Sequence, residues 1–290
     1  MNNPFERKHL IRSFNSAANT YAAAVALPQE IGQRLIERLD LMRLQPNHIL
    51  ELGCATGYLS QQLAKRYPNA KVMGIDIAFK MVAHAKRQSR WLSHERFICA
   101  DANNLPVADH SIDLIFANLT LAWCCNLDAL LHELNRALKP QGLLLFTTLG
   151  PDTLQELRQS WAELDRHQHI HPFMDMHDVG DSLVKNSFLD PVMDMEKLTV
   201  NYPQIASLIK DLKALGMHNC LTERKKGLTT PRQWQTFIKN YERYRTTADL
   251  LPVTFEVLYG HAWSHETTGS TTNNIGEVLI PVSKIKRKHI

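Results

Sequence analysis

The chain has 290 residues, 44% of them hydrophobic and 21% charged, which is the composition of a globular protein with one elaborated core or two small domains. No apolar run approaches the ~20 residues of a membrane span, and the polar N-terminus lacks the apolar stretch of a signal peptide, so we expect a cytoplasmic protein with no membrane partner. The net charge of +4 suits an acidic partner as well as nucleic acid. The five cysteines form no C-x-x-C pair, which indicates reduced thiols rather than a zinc site or disulfides.

Residues 46–202 alternate short apolar runs with amphipathic segments, the pattern of βα units around a parallel sheet. Strands are predicted at residues 48–52, 71–75, 96–99, 112–116 and 143–146. Helices are predicted between them at 59–67, 79–90 and 127–138, and a polar turn at 139–142 should end the last helix. The predicted fold class is therefore α/β, with a doubly wound, Rossmann-like and mostly parallel sheet.

Beyond residue 150 the pattern is less regular. Helices are expected at 153–164, 176–186, 205–215 and 234–244, and strands at 192–200 and 255–259, the last of them antiparallel. The segment 264–274 is rich in Ser, Thr and Asn and should be mobile. The predicted organisation is an N-terminal helical segment over the ligand site (1–45), the α/β core (46–202), a helical cap over the carboxyl edge of the sheet (203–251), and the last strand with a tail (252–290).

The most informative stretch links the first strand to the following helix. It contains Glu51, Gly53, Ala55 and Gly57, and the small residues at the last three positions let the backbone approach a ligand closely. A dinucleotide fold shares this context, but Glu51 would repel a pyrophosphate and attract a cation. A cofactor with a sulfonium and an ammonium group, such as S-adenosylmethionine, fits better, although a glycine-rich turn of this kind is also found as a purely structural loop.

Two further acids end the next two predicted strands. Asp76, followed by Ile77, is placed to accept hydrogen bonds from both ribose hydroxyls. Asp101, followed by Ala102, is placed to accept from an adenine amino group. Each acid alone is equally typical of a helix N-cap. Acids at the ends of three successive strands together favour an S-adenosylmethionine site.

At this point the chain resembles the class I methyltransferases, and over nearly its whole length it is similar to one family, the malonyl-[acyl-carrier protein] O-methyltransferases of biotin synthesis. The resemblance lies in six segments: FNSAANTY at 14–21, NLTLAWC at 118–124, TTLGPDTL at 147–154, FMDMHD at 173–178, DLKALGMHN at 211–219 and YGHAW at 259–263. One departure is Ala55, which stands where the family usually has glycine, and whose methyl group narrows the cofactor turn.

The resemblance implies methyl transfer from S-adenosylmethionine to the free carboxylate of a malonyl thioester, on an acyl carrier protein or on CoA, as the first step of pimeloyl formation. A carboxylate has an unperturbed pKa near ~4 and is already ionised at neutral pH, so this reaction needs no general base and no metal. The chain also shows no Ser/His/Asp or Cys/His constellation. Alignment of the reactants and exclusion of water remain as the tasks of the protein.

The same resemblance supplies candidate site residues. Tyr21, Asn118 and His261 are the expected catalytic residues, and Asn118 is also expected to contact the cofactor. Substrate contacts are expected from the following residues: Tyr21, Trp123, Lys213, His218, Asn219 and Arg224. Trp263 is a further candidate for the pocket wall. Each also has an ordinary structural explanation, as a core aromatic residue, a polar strand or helix end, or a solvated charge.

Two other features have competing explanations. His167, His169 and His171 would share one face of an extended strand, so a metal site is conceivable there, although the expected chemistry needs none. The triplet Arg224-Lys225-Lys226 would bind the acidic surface of a carrier protein or form an exposed charged face, and the basic tail at 284–288 is expected to be solvated.

Three alternative functions stay open. One is methylation of another small carboxylate or a quinone precursor. Another is methylation of nucleic acid, but NLTL at 118–121 lacks the Asn/Asp-Pro-Pro-aromatic pattern of base methylation, and we expect no nucleic-acid partner. The last is an assembly or hydroxylation factor that binds the cofactor and transfers no methyl group.

Overall fold

The computed structural model describes residues 5–89 and 94–265. The expected mobile segment at 264–274 lies almost wholly outside this part, and the basic tail lies entirely outside it. The helices are α1 (Arg7–Ala17), α2 (Ala26–Glu37), α3 (Tyr58–Arg66), α4 (Phe79–Gln88), α5 (Leu127–Ala137), α6 (Gln155–Ala162), α7 (Met176–Lys185), α8 (Ile205–Ala214) and α9 (Pro231–Glu242). The strands are β1 (His48–Leu52), β2 (Lys71–Asp76), β3 (Glu95–Cys99), β4 (Ile112–Ala117), β5 (Leu138–Leu149), β6 (Phe188–Tyr202) and β7 (Leu251–Ser264).

The strands form one seven-stranded sheet in the order β3-β2-β1-β4-β5-β7-β6. Strands β1 to β5 pair in parallel, and β7 is antiparallel to both of its neighbours. The order reverses between β1 and β4, which is the position where open α/β sheets bind ligands. The predicted α/β class with an antiparallel last strand is confirmed.

Alternation along the central strands divides the core between the two faces of the sheet. Ile49 and Leu114 pack with α2, α3, α6, α8 and α9 on one face, whereas Leu50 and Ile115 pack with α5 and α7 on the other. Because both faces are covered, these strands are mostly apolar in sequence. Within the described residues, no helix is both long and apolar enough to cross a membrane.

Strand β5 begins earlier than the polar turn at 139–142 predicted. Leu138 follows α5 directly and pairs with Ile112, whereas Leu143 pairs with Leu114, so the register shifts between these two pairs. Gln141 has a φ of 61°, in the left-handed region, and this kink accommodates the extra residues. The predicted turn is therefore a bulged start of the strand.

Strands β6 and β7 are both longer than predicted. They pair from Phe188 opposite Ser264 to Tyr202 opposite Leu251, with a register shift between Leu189 and Val192. Strand β6 is the edge of the sheet, where charged residues and proline are tolerated because one side of the strand makes no ladder hydrogen bonds. Because charged residues and proline interrupt the apolar pattern of β6, the sequence did not indicate where this strand begins and ends.

Residues 203–251 contain α8 and α9, whose buried side chains join the core on the α2 face of the sheet. The chain after α8 turns at Gly216, which has a φ of 78°, and reaches the carboxyl edge of the sheet. There the Ser13 hydroxyl of α1 donates to the Gly216 carbonyl at 3.0 Å. The first helix and the segment after α8 are thus held together over the end of the sheet.

Candidate active site

A cavity of about 650 Å³ opens at the carboxyl edge of the sheet. The ends of β1, β2 and β4 form its floor, and α1 with the turn at Tyr21–Ala23 forms its roof. The cavity brings together most of the predicted site residues: Tyr21, Glu51, Gly53, Ala55, Asp76, Ile77, Asp101, Ala102, Asn118 and Trp123. The three strand-end acids therefore face one space, as their positions in the sequence predicted.

The turn after β1 requires glycine at Gly53. This residue has a φ of 66°, and a Cβ there would collide with the hydroxyl of Thr120, which donates to the Leu52 carbonyl at 2.8 Å. Gly57 has a φ of 83° and caps α3, but it is not among the residues that line the cavity. Ala55 lies between them with a φ of 45°, a conformation that disfavours any residue with a Cβ.

Asp76 holds this turn against the start of α4. One carboxylate oxygen accepts from the Ala55 amide at 3.0 Å, and the other accepts from the Ala78 amide at 2.8 Å. Burial raises the pKa of Asp76 to about 6, although the two amide hydrogen bonds act in the opposite direction. Each oxygen keeps a lone pair that can accept a donor from the cavity.

Glu51 is buried at the end of β1, where the Ser60 hydroxyl of α3 donates to its carboxylate. Burial raises the pKa of Glu51 to about 8, and the nearby charge of Asp76 adds to this effect, while the Ser60 hydrogen bond opposes it. A cationic group in the cavity would favour the ionised form. A cationic ligand bound beside Glu51 would therefore lower the pKa of this side chain and favour its negatively charged form.

Asp101 closes one end of the cavity together with Arg7 of α1. Its carboxylate accepts from the backbone and side-chain amides of Asn103, both at 2.9 Å, and pairs with the Arg7 guanidinium at 2.6 Å. Burial opposes ionisation, but the Asn103 hydrogen bonds and the charge of Arg7 outweigh it and lower the pKa of Asp101. Sequence reasoning missed Arg7, because nothing local marks a partner 94 residues away.

Tyr21 faces the same acids from the roof of the cavity. Burial is the main reason that the pKa of its phenol is raised, and the charges of Asp76 and Glu51 add to this effect. The hydroxyl therefore stays protonated throughout the physiological range, so it can donate a hydrogen bond and cannot act as a base.

Asn118 lines the cavity, but its side chain is already bonded within the protein. Its amide nitrogen donates to the Pro28 carbonyl at 2.9 Å, and its oxygen accepts from the Thr147 hydroxyl at 2.8 Å. These bonds fasten α2 to the ends of β4 and β5. The geometry assigns Asn118 a positioning task in addition to its place on the cavity wall.

Another part of the cavity wall is apolar. Trp123 packs edge-on against Phe14 of α1, with centroids 5.3 Å apart, and against His171, with centroids 4.9 Å apart. Leu215 and Met217, from the segment after α8, complete this wall. Of the described side chains that line the cavity, only Arg7 is a lysine or an arginine, and it is paired with Asp101.

Besides Gly57, six predicted residues do not line this cavity, and Trp263 on β7 is one of them. His261 stands opposite Leu145 on β7, four positions from the Leu149 end of β5, so the strand register keeps it away from the cavity. His218, Asn219 and Arg224 line a second cavity of about 270 Å³. Lys213 lines neither cavity and is exposed on α8.

The three alternating histidines do not form a strand. His169 bonds Asp165 at 2.8 Å and stacks on Trp161, whereas His171 is buried and accepts from the Cys220 amide at 3.2 Å. Burial lowers the pKa of His171 to about 4. In the two described ranges of the chain, no group of three or more metal-ligating side chains is arranged to hold a metal ion.

Comparisons with known proteins identify the family of this chain. A family model described as a methyltransferase domain matches residues 50–146, which span β1 to β5. A malonyl-[acyl-carrier protein] O-methyltransferase from Coxiella burnetii is 44% identical over 96% of this chain and 95% of its own length. One from Gallionella capsiferriformans is 42% identical over 97% of this chain and 98% of its own. The chain belongs to the malonyl-[acyl-carrier protein] O-methyltransferase family.

As a member of this family, the protein is an S-adenosylmethionine-dependent methyltransferase of class I. Solved structures show the same fold at low sequence identity. The YcgJ protein from Bacillus subtilis aligns with a TM-score of 0.58 and 15% identity over 81% of this chain and 99% of its own. A phosphoethanolamine N-methyltransferase from Haemonchus contortus aligns with a TM-score of 0.51 and 17% identity, over 81% of this chain and 52% of its own.

Proposed function

We propose that this methyltransferase transfers a methyl group from S-adenosylmethionine to the free carboxylate of a malonyl group on an acyl carrier protein. The product is the methyl ester, and the reaction opens pimeloyl formation in biotin synthesis. The observation that carries the proposal is the make-up of the cavity lining, which combines three acids with an apolar wall. Relatives with this activity in their names match almost the whole chain.

The acidic side fits the cofactor. Glu51 suits the α-ammonium, the remaining lone pairs of Asp76 suit the ribose hydroxyls, and Asp101 suits the adenine amino group. Gly53 keeps the floor open at the turn. Bound there, S-adenosylmethionine supplies an electrophilic methyl group on a sulfonium.

The apolar side suits a nucleophile that is already ionised. A malonyl carboxylate needs no base, and no proton moves when its oxygen takes the methyl group. Trp123, Phe14 and Met217 exclude water beside it, which strengthens its attraction to the positive sulfonium. The protonated Tyr21 hydroxyl is placed to orient the carboxylate by donating a hydrogen bond.

The carrier protein is proposed to dock beside the second cavity. Arg224, Lys225 and Lys226 follow α8, and Lys226 is exposed. Carrier proteins are acidic, so this triplet would favour encounter and orientation, in a way that salt weakens. We place the reaction in the cytoplasm, in keeping with five cysteines of which none is joined by a disulfide.

Mass spectrometry of the product tests the proposal. The malonyl-carrier substrate should gain one methyl group on the malonyl carboxylate, and S-adenosylhomocysteine should form in equal amount. Methylation of another small carboxylate or of a quinone precursor, with the malonyl substrate untouched, would contradict the proposed substrate. Cofactor binding with no S-adenosylhomocysteine formed from any of them would instead support an assembly or hydroxylation factor.

A further inference from the structure

Basic side chains line the second cavity. Its walls include His9, His169, His218, Asn219, Arg224 and Lys225. Two carboxylates border these groups: Glu6 pairs with Arg224 at 2.6 Å, and Asp165 lies 3.4 Å from the Lys225 ammonium. Each of these pairs is neutral, so the groups left to meet an incoming anion are the rings of His9 and His218 and the exposed ammonium of Lys226 nearby.

The rings of His9 and His218 are available to a ligand. Over residues 5–89 and 94–265, neither ring has a hydrogen-bond partner within the protein. Burial lowers the pKa of both, and the positive charges of Arg224 and Arg12 on His9, and of Lys213 on His218, lower it further. Both rings therefore lie in a positive field, which an anion would relieve.

The second cavity lies next to the active site. On each of the two chain segments between them, one residue lines the active site and the residue beside it lines the second cavity. On α1, Leu10 lines the active-site cavity and its neighbour His9 lines the second one. On the segment after α8, Met217 lines the active site and its neighbour His218 lines the second cavity. The two cavities thus share a single wall.

Two hydrogen bonds, one near each end of this wall, join the N-terminal segment to the segment after α8. The Glu6 amide donates to the Cys220 carbonyl at 2.8 Å, and the Ser13 hydroxyl donates to the Gly216 carbonyl at 3.0 Å. His9 and His218 lie between these two hydrogen bonds, and within residues 5–89 and 94–265 no side-chain hydrogen bond joins residues 7–12 to residues 217–219. For a flexible arm anchored in the second cavity, the shortest path to the active site crosses this wall where His9 adjoins Leu10 and His218 adjoins Met217.

We propose that the second cavity binds the phosphate of the phosphopantetheine arm that carries the malonyl group, with Lys225, His9 and His218 as its donors. The arm then enters the active site between α1 and residues 216–221. The inference rests on the proposed function, because that function supplies a substrate whose reacting carboxylate and phosphate lie at opposite ends of one long chain. The walls suit such an anion, since lysine and arginine donate charge-assisted hydrogen bonds to phosphate oxygens and each histidine ring carries an N–H that can donate.

Two malonyl thioesters that differ only in the phosphate test this site. The enzyme should show a kcat/KM about 10-fold higher for malonyl-phosphopantetheine than for malonyl-pantetheine, the ratio expected of one charge-assisted hydrogen bond at a partly exposed site. Lys225→Gln and His218→Ala should each reduce that ratio several-fold. Lys239→Gln removes the same charge from an exposed position on α9 and should leave the ratio as in the wild type.

Because each ratio is taken on one enzyme preparation, damage to the fold cancels from it. Equal use of the two thioesters by the wild type, or an unchanged ratio in both variants, would overturn the inference and leave the proposed function intact. Calorimetry with phosphopantetheine and pantetheine, without a malonyl group, separates the two claims further. Preferential binding of phosphopantetheine by an enzyme that methylates neither thioester would support the phosphate site and contradict the proposed function.

Discussion

The two sides of the active-site cavity are built in different ways. The proposed cofactor side is made by neighbours in the sheet: Glu51 is the next-to-last residue of β1, Asp76 ends β2, and Asp101 follows the end of β3 by two residues. The acyl side is made by segments far apart in the chain, with Phe14 from α1, Trp123 from the turn after β4, and Met217 from the segment after α8. The positions of the three acids follow from where the strands end. The positions of the apolar residues depend on how distant segments of the chain pack together.

The two sides also differ in their electrostatics. Buried acids dominate the cofactor side and keep raised pKa values at Glu51 and Asp76. The acyl side offers apolar surface and no unpaired lysine or arginine among its described residues. A cationic donor is therefore drawn to one side, while the other strengthens its attraction for an anionic acceptor by removing water.

The largest effect is expected on the cofactor side. Asp76→Ala should weaken S-adenosylmethionine binding by about 1–3 kcal/mol, because it removes a charged acceptor of ribose hydroxyls and releases the Ala55 turn. Calorimetry measures this change. Asp113→Ala is the matched control: Asp113 also accepts two backbone amides, at 3.1 and 2.8 Å, but at the opposite edge of the sheet. Comparable losses of cofactor affinity in the two variants would contradict the assignment.

The acyl side should respond separately from the cofactor side. Trp123→Leu removes the ring that packs on Phe14 and His171, so kcat/KM for the malonyl thioester should fall about 10-fold. The cofactor dissociation constant should stay within about twofold of the wild type. Trp161→Leu, on α6 and outside the cavity, controls for loss of a large core residue. An equal loss of cofactor affinity in Trp123→Leu would show that the two sides are not independent.

Cofactor affinity should depend on pH through Glu51. Its pKa is about 8 before binding, and a bound ammonium lowers it, so binding releases a proton and tightens as the pH rises from about 6 to 8. Cofactor affinity should rise by at most about tenfold per pH unit. Asp76, with a pKa of about 6, adds to this pH dependence only near the lower end of the range. Glu51→Gln should flatten the profile above about pH 6.5. With cofactor saturating, kcat should stay flat from about pH 6 to 8, and a steep rise there would point to a required base.

The same residue should change the stability of the fold with pH. The pKa of Glu51 rises from 4.5 to about 8 on folding, so the folded protein binds more protons, and stability falls as the pH rises through this window. Glu51→Gln cannot ionise at this position and so does not lose stability as the pH rises. At pH 8 the cofactor-free variant should therefore have a higher Tm than the wild type. The variant should also bind the cofactor more weakly. A lower Tm at pH 8 would contradict the raised pKa.

The smallest effect is expected at Ala55. Its φ of 45° costs about 1 kcal/mol for a residue with a Cβ, and glycine removes this cost. Glycine also raises the conformational entropy of the unfolded chain, which lowers the free energy of unfolding by a similar amount. Ala55→Gly should therefore leave Tm nearly unchanged and improve cofactor affinity a few-fold, because the methyl group no longer narrows the turn. Ala78→Gly, at an ordinary φ of -91°, should only lower Tm. Weaker cofactor binding by Ala55→Gly would contradict this explanation.

These differences explain what the sequence predicts well and what it misses. Periodicity and strand-end acids predicted the sheet and the cofactor side, because a parallel sheet places the ends of its strands at one edge by geometry alone. Arg7 and Met217 were missed because their contacts join segments far apart in the chain. The site prediction for His261 followed the resemblance of its segment, whereas its distance from the cavity depends on a β5–β7 register that no local pattern encodes.

The most direct test of the central claim is methyl transfer from labelled S-adenosylmethionine to purified malonyl-carrier protein, with acetyl-carrier protein as the control. The two substrates differ only in the free carboxylate that the apolar side is proposed to present. The account predicts one labelled methyl per malonyl group and none on the acetyl substrate. Label on both substrates would place the methyl group on the carrier itself, and label on neither would contradict malonyl methylation.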